Sequence, residues 1–247
     1  MHYHRPRTLP EALRLHAAEP GARFIAGGTD LLVRLRDGRI TPPALISLRL
    51  LPELAGVTGG DTVTIGALTT VAALIAHRGL AESCPVLTLA ARTVGSQQIR
   101  NAATVGGNLC NASPCADLAP PLLVLDAMVR IEGPDGGRTV PLEDFFESPG
   151  KTRLRPGELL TAIVIPPGGR GGAATFLKKG RVAMDLSLVS VAVRLELDGD
   201  RCRQARVAAG SVAPRPLRLR GVEALLEGKP LSPALVAEAR RQAAREV

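Results

Sequence analysis

Apolar positions along this chain fall into short runs broken by glycine and proline, and the breaks predict most of the elements. Residues 3–6 read as extended. Thr8 followed by Pro10-Glu11-Ala12-Leu13 predicts a helix start, with Thr8 or Leu9 as cap, Pro10 in the first turn and Glu11 opposing the positive end of the dipole. That helix stops by Pro20-Gly21. A short apolar strand over 23–26 breaks into Gly27-Gly28-Thr29-Asp30, after which Leu31, Leu32 and Leu35 recur at helical spacing until Gly38. Further on, the pattern predicts a strand over 44–48, a turn over 52–54, a strand over 63–66, and helices over 69–76 and 85–92. A turn-rich stretch from Ala102 to Ala127 follows. Beyond it come a strand over 128–132, a hairpin at Pro134-Asp135-Gly136-Gly137 with 138–141 pairing back, a turn or short helix over 142–146, and a buried strand over 159–165. The glycine run 168–172 reads as a flexible domain boundary. Past it lie strands over 174–178, 188–197 and 203–210, then helices over 221–226 and 232–245. The last helix has no visible stop, which suits either a clipped end or an end lying against a partner.

Composition narrows the class. A chain of 247 residues can bury a substantial core as one large or two modest domains. The net charge of +8 invites a nucleic-acid reading, yet the arginines are scattered, and with no Trp, one Tyr and four Phe there is little to stack on bases. A basic surface suited to an acidic partner is the better reading. The start, MHYHRPRTLPEALRL, lacks the apolar core of a signal peptide, and no run approaches the length of a membrane span. Cys84, Cys110, Cys115 and Cys202 form no CxxC pair, so reduced thiols in a cytoplasmic protein are expected.

Candidate chemistry concentrates in two glycine stretches. The sequence AATVGGNLCNASPCADLAPPLLVLDA, residues 102–127, crowds so many turn-formers together that its backbone is expected to hold something. The earlier stretch 25–38 reads as strand, glycine turn and helix start, which aims backbone N–H groups and a helix dipole at an anion. It has neither the GxGxxG of a Rossmann turn nor the GK[ST] of a P-loop. Taken alone, it fits an ordinary tight turn as well as a phosphate cradle. Asp30 would repel a phosphate, so it serves as a helix cap or as an acceptor for a ribose hydroxyl. The histidines form no site in this reading: His2 and His4 lie near a floppy end, and His16 and His77 fall in helices. No Ser-His-Asp order, HExxH or paired carboxylate suggests a substrate-transforming centre.

Together the two stretches carry a resemblance. AGGTDLL at 26–32, TVGGNLCNASPCADLAPPLLVLDA, RVAMDLSLVSVAV at 181–193 and AAGSVAPRPLRLRGVEALLEGK at 208–229 resemble the FAD-binding subunit of the molybdenum hydroxylases, the family of xanthine dehydrogenase and the medium subunit of aerobic carbon monoxide dehydrogenase. The resemblance covers essentially the whole chain. It implies an α+β fold: a two-lobed FAD-binding domain of the vanillyl-alcohol-oxidase (PCMH) type over 1–170, with lobes near 1–55 and 56–170, and a smaller α+β domain over 171–247. It implies FAD with its pyrophosphate between two loops, one formed by Ile25, Ala26, Gly27, Gly28, Thr29 and Asp30, the other by Thr104, Gly106, Gly107 and Asn108. Asp117 would hold a ribose or adenine-side hydroxyl, and Leu160 and Lys178 would lie near the flavin ring, with Lys179 able to exchange roles with Lys178 or both lysines simply solvated. No catalytic or metal-ligating residue is implied. A branch resembling 4-hydroxybenzoyl-CoA reductase carries an extra iron–sulfur cluster in a cysteine-bearing insertion; this chain has no such insertion, so Cys110 and Cys115 are read as small packing residues. The implied partners are an iron–sulfur subunit with two 2Fe–2S clusters and a molybdopterin-containing large subunit, in a dimer of heterotrimers. Electrons would pass from the clusters through FAD to an external acceptor. A stand-alone FAD-binding module is the alternative.

Overall fold

The computed structural model covers residues 1–247. A small lobe comes first: strand β1 (His2–His4), helix α1 (Leu9–Ala18), strand β2 (Arg23–Ile25), helix α2 (Leu31–Arg36) and strand β3 (Ala44–Ser47). The three strands form a parallel sheet in the order β1-β3-β2. Central β3 is buried at every residue, the usual consequence of covering a parallel sheet on both faces. Thr8 caps α1, accepting from the Glu11 amide at 3.3 Å, with Pro10 in the first turn as expected. His2 and His4 are not at a loose end. β1 pairs in register with β3, strand alternation turns both rings to one side, and both meet Glu19 at the end of α1.

The second lobe opens with β4 (Val57–Thr58) and β5 (Val63–Gly66). Six helices follow: α3 (Val71–Ala76), α4 (Arg78–Ser83), α5 (Pro85–Arg92), α6 (Gln97–Ala102), α7 (Val105–Cys110) and α8 (Ala119–Val124). The chain then returns through β6 (Met128–Gly133), β7 (Gly136–Pro141), the hairpin β8 (Phe146–Ser148) and β9 (Lys151–Thr152), and β10 (Leu159–Ile165). An antiparallel sheet results, ordered β4-β5-β10-β6-β7. β10 runs through its centre, and its LLTAIVI run is buried at every residue but Val164, as a strand covered on both faces must be. The helices complete the main core, a cluster of 35 buried residues. The sequence pattern shows only two of these helices. The others are six-residue elements; α4, α6 and α7 are started by side-chain caps from His77, Ser96 and Thr104.

The last unit is an antiparallel sheet of β11 (Ala173–Lys179), β12 (Val189–Asp198), β13 (Arg201–Gly210) and β14 (Leu217–Arg218), backed by α9 (Arg220–Leu226) and α10 (Pro233–Glu246). One face packs with these helices in a core of its own. Phe176, Ala192 and Ala208 on the other face join the main core, so the sheet is seated on the preceding lobe. Asp126, just after α8, fastens this seat. Its carboxylate accepts from Arg218 Nη1 at 2.8 Å, Arg206 Nε at 3.1 Å and Arg194 Nη2 at 3.3 Å. Arg194 Nε also donates to Val124 O at 2.9 Å, placing a cation at the negative end of α8. The run 168–172 is not the loose linker expected: Gly169 is buried and Gly168 O accepts from Arg194 Nη1 at 3.0 Å. No helix is long and apolar enough to cross a membrane.

Candidate cofactor site

The first glycine stretch leaves the sheet at Ile25, which is buried, and turns through Gly28 at φ +75°, a conformation open to glycine. The amides of Ala26, Gly27, Gly28, Thr29, Asp30 and Leu31 donate no hydrogen bond within the chain. Successive unpaired N–H groups at the head of a helix form an anion-binding concavity. Asp30 occupies the cap position of α2 but makes no capping hydrogen bond, and it is exposed. Of its two expected roles, the cap is not realised.

The second stretch is built differently. Expected as a loop, it is the start of α7, and its amides are already paired: Val105 N donates to Thr69 O at 3.0 Å, Gly106 N to Ala67 O at 2.8 Å, Gly107 N to Thr104 Oγ1 at 3.1 Å and Asn108 N to Thr104 O at 2.9 Å. Its glycines serve close packing as much as access. A Cβ on Gly106 would lie 2.7 Å from the Ala67 Cβ, whereas one on Gly107 would meet only Thr104 Oγ1, at 2.8 Å. What this wall offers a ligand is side chains, and the Asn108 Oδ1 is buried without a hydrogen-bond partner. The walls touch, since a Cβ on Gly27 would run into the Ala102 carbonyl oxygen. They are also tied by Arg34 Nη2, which donates to Asn111 Oδ1 at 2.9 Å.

Asp117 and Lys178 meet beside α8. Lys178 Nζ is 2.8 Å from Asp117 Oδ2 and donates to Thr93 O at 3.2 Å. Burial pushes the Asp117 carboxyl up, while the hydrogen bond and charge of Lys178 pull it back down. The other oxygen, Asp117 Oδ1, is buried without a partner. Strand alternation separates the two lysines of β11: Lys178 points inward alongside Phe176, and Lys179 is exposed. Leu160 does not join this group at the surface; it is 2% exposed within the main core. Cys110 and Cys115 do not converge with other cysteines, all four thiols are free, and burial pushes the Cys110 thiol up to about 12.

Thr93 and Arg100 escape the sequence reading. Arg100 Nη1 holds the α5–α6 turn through Val94 O at 3.0 Å and Gly95 O at 2.7 Å, next to the carbonyl that receives Lys178. The available signal was an Arg four residues after the helix-capping Ser96, in a stretch the hydrophobic pattern passes over. Directly after Lys178, the β11–β12 connection exposes Val182, Met184, Leu186 and Leu188.

Free amides on one wall, unpartnered buried oxygens on the other and a lysine–aspartate pair beside them are features that suit a phosphate-bearing cofactor. Residues 1–168 match the family described as the FAD binding domain in molybdopterin dehydrogenase, and residues 174–247 match the CO dehydrogenase flavoprotein C-terminal domain. The chain belongs to this family of FAD-binding oxidoreductase subunits.

Among relatives, a xanthine dehydrogenase FAD-binding subunit of Escherichia coli is 37% identical over 234 residues, 93% of this chain and 80% of the relative. The carbon monoxide dehydrogenase medium chain of Afipia carboxidovorans is 34% identical over 236 residues, 94% of this chain and 82% of the relative. In three dimensions the chain is similar to a crystal structure of the Cu,Mo-CO dehydrogenase in its cyanide-inactivated form, with TM-score 0.94, 33% identity, and coverage of 98% of this chain and 86% of that one. A chain of quinoline 2-oxidoreductase from Pseudomonas putida gives TM-score 0.93 at 30% identity, covering 98% of this chain and 85% of that one. The cofactor of the family is FAD, and the residues present fit it: the amides after Ile25 suit a pyrophosphate, and the lone oxygens of Asn108 and Asp117 suit ligand hydroxyl or N–H donors.

Proposed function

We propose that this chain is the electron-transfer flavoprotein of a heteromeric molybdenum hydroxylase. It would take electrons from the 2Fe–2S clusters of an iron–sulfur subunit and deliver them to an external acceptor, while a molybdopterin-containing large subunit oxidises the substrate, the whole forming a dimer of heterotrimers. The amide row from Ala26 to Leu31 carries this reading, because its unpaired N–H groups at the head of a helix suit a pyrophosphate. Bound FAD supplies the redox chemistry, accepting electrons singly and releasing them in pairs.

The chain's own residues hold and orient. The amides of Ala26 to Asp30 bind phosphate oxygens, Asp30 and Asp117 Oδ1 accept from hydroxyls, and Thr104 and Asn108 hydrogen-bond without adding charge. Lys178, fixed by Asp117, sets a positive charge beside the cofactor. The apolar side chains of residues 182–188 form an exposed patch suited to a partner subunit. Residues 1–170, with lobes 1–55 and 56–170, form the FAD-binding domain, and 171–247 the smaller one.

Purification of the untagged chain from its host tests both halves. Visible flavin absorption together with co-purified iron–sulfur and molybdenum proteins is expected. A yellow protein without partners would favour a stand-alone FAD module, and a colourless protein that FAD does not reconstitute would overturn the reading.

A further inference from the structure

One gathering of ligand-type side chains lies outside the cofactor site. His2 and His4 sit two residues apart on β1, so their rings emerge on one side of the sheet, 6.0 Å between centroids. Glu19, where the chain leaves α1, reaches both: His2 Nδ1 is 3.0 Å from Glu19 Oε2, and His4 Nε2 contacts Glu19 Oε1. One ligand atom from each of the three lies within 4.8 Å of the others. No other three His, Cys, Asp or Glu side chains in the chain come together this way.

We propose that His2, His4 and Glu19 form a binding site for a divalent transition-metal ion of the zinc class. Two imidazole nitrogens and one carboxylate oxygen are the donors such borderline ions prefer, and three protein ligands leave room for water in the coordination sphere. A shift of about an ångström closes the present separations to metal–ligand geometry. His2, 74% exposed, is free to make it. One carboxylate shared between two imidazoles leaves the three groups joined only pairwise through Glu19, whereas a divalent ion engages all three at once. The site clamps β1 to the end of α1. From there Glu19 O accepts from Ala22 N at 2.9 Å, and β2 runs on to the amide row. The ion's role is to brace the small lobe, not to carry electrons.

Calorimetric titration of the tag-free, chelator-treated full chain with zinc chloride tests this, alongside thermal melts with and without zinc. The expected result is one ion per chain, an affinity weakened at least about tenfold in Glu19→Gln and in His2→Ala, and a zinc-dependent rise in Tm that both variants lack. The His2→Ala variant removes an exposed ring, so folding is not at stake. Wild-type binding and melting indistinguishable from the His2→Ala variant would overturn the site, as would binding that survives in both variants.

Discussion

Lys178 Nζ lies 2.8 Å from Asp117 Oδ2, with the two side chains only 7% and 10% exposed. One comes from the carboxy-terminal sheet and the other from the loop before α8, so a nearly dry ion pair joins two units beside the candidate cofactor site. Replacing Lys178 by Met leaves a buried carboxylate without its cation, and unfolding by urea should show a loss of about 3–5 kcal/mol. The pH dependence has a definite sign. Burial already raises the Asp117 carboxyl, and loss of Lys178 removes what pulls it down, so the folded variant binds its proton more readily than the unfolded chain. The deficit should therefore be small below the ordinary carboxylate range and grow as pH rises through the raised folded value. A deficit that is flat with pH, or that grows on acidification, would show that Asp117 is not the group left stranded.

Asp126 offers a second test at the same seam. Arg194 and Arg218 are almost wholly buried, and each keeps one further carboxylate partner, Glu196 and Glu223 respectively. Asn tolerates the residue's φ of +50°, so Asp126→Asn removes charge with little backbone strain. The expected cost is about 3 kcal/mol, at the low end for a broken buried pair because neither guanidinium is stranded entirely. An unchanged denaturation midpoint would mean that the other partners suffice to seat the sheet.

Much of this fold was legible. Strand, glycine turn and helix at 23–38, the hairpin at 134–137, buried β10 and the long strands β12 and β13 follow directly from periodicity and turn chemistry. The helices α4, α6, α7 and α8 were not: the equally short α2 and α3 open on apolar runs behind a glycine turn or a threonine, but these four are interrupted by glycine, proline or polar residues. Elements that short owe their existence to caps and tertiary packing rather than to an amphipathic repeat. The inequality of the two walls was equally hidden. Gly27-Gly28 and Gly106-Gly107 look alike as letters; only the carbonyls of Ala67 and Thr69, supplied by another part of the chain, decide that the second pair's helix has few amides left to offer. The clustering of His2, His4 and Glu19 likewise depends on β1 pairing with a strand some forty residues later.

The unequal walls make their glycines separable by mutation. Gly27→Ala drives a methyl into the Ala102 carbonyl, with Ala103 Cα 3.1 Å away, and neither backbone group can yield easily. It should cost about 1–3 kcal/mol as overpacking, and parting the loops should lower FAD content as well. Gly107→Ala meets only Thr104 Oγ1, and about 0.5–1 kcal/mol of gained helix stability offsets the crowding. Its melting temperature should barely move while the flavin-to-protein absorbance ratio falls. Loss of flavin in neither variant would remove both glycines from the cofactor site.

Asp30 decides how an acidic residue comes to stand beside a row of phosphate-seeking amides. As a helix cap its removal would cost about 1 kcal/mol. Since its side chain makes no capping bond and is exposed, Asp30→Ala should instead leave stability within about 0.5 kcal/mol of wild type. Its effect belongs to binding. A carboxylate aimed at the pyrophosphate would repel it, and its removal would tighten FAD; a carboxylate accepting from a ribose hydroxyl would be missed, and FAD would bind about tenfold more weakly, the value of one charged hydrogen bond. The second result is expected, because the Asp30 side chain is exposed at the head of α2 with no capping bond, free to accept from a ribose hydroxyl while the N–H groups of the row face the phosphates. Titration of apoprotein with FAD, followed by flavin fluorescence quenching, separates the outcomes. Tighter binding in the variant would reverse the assignment.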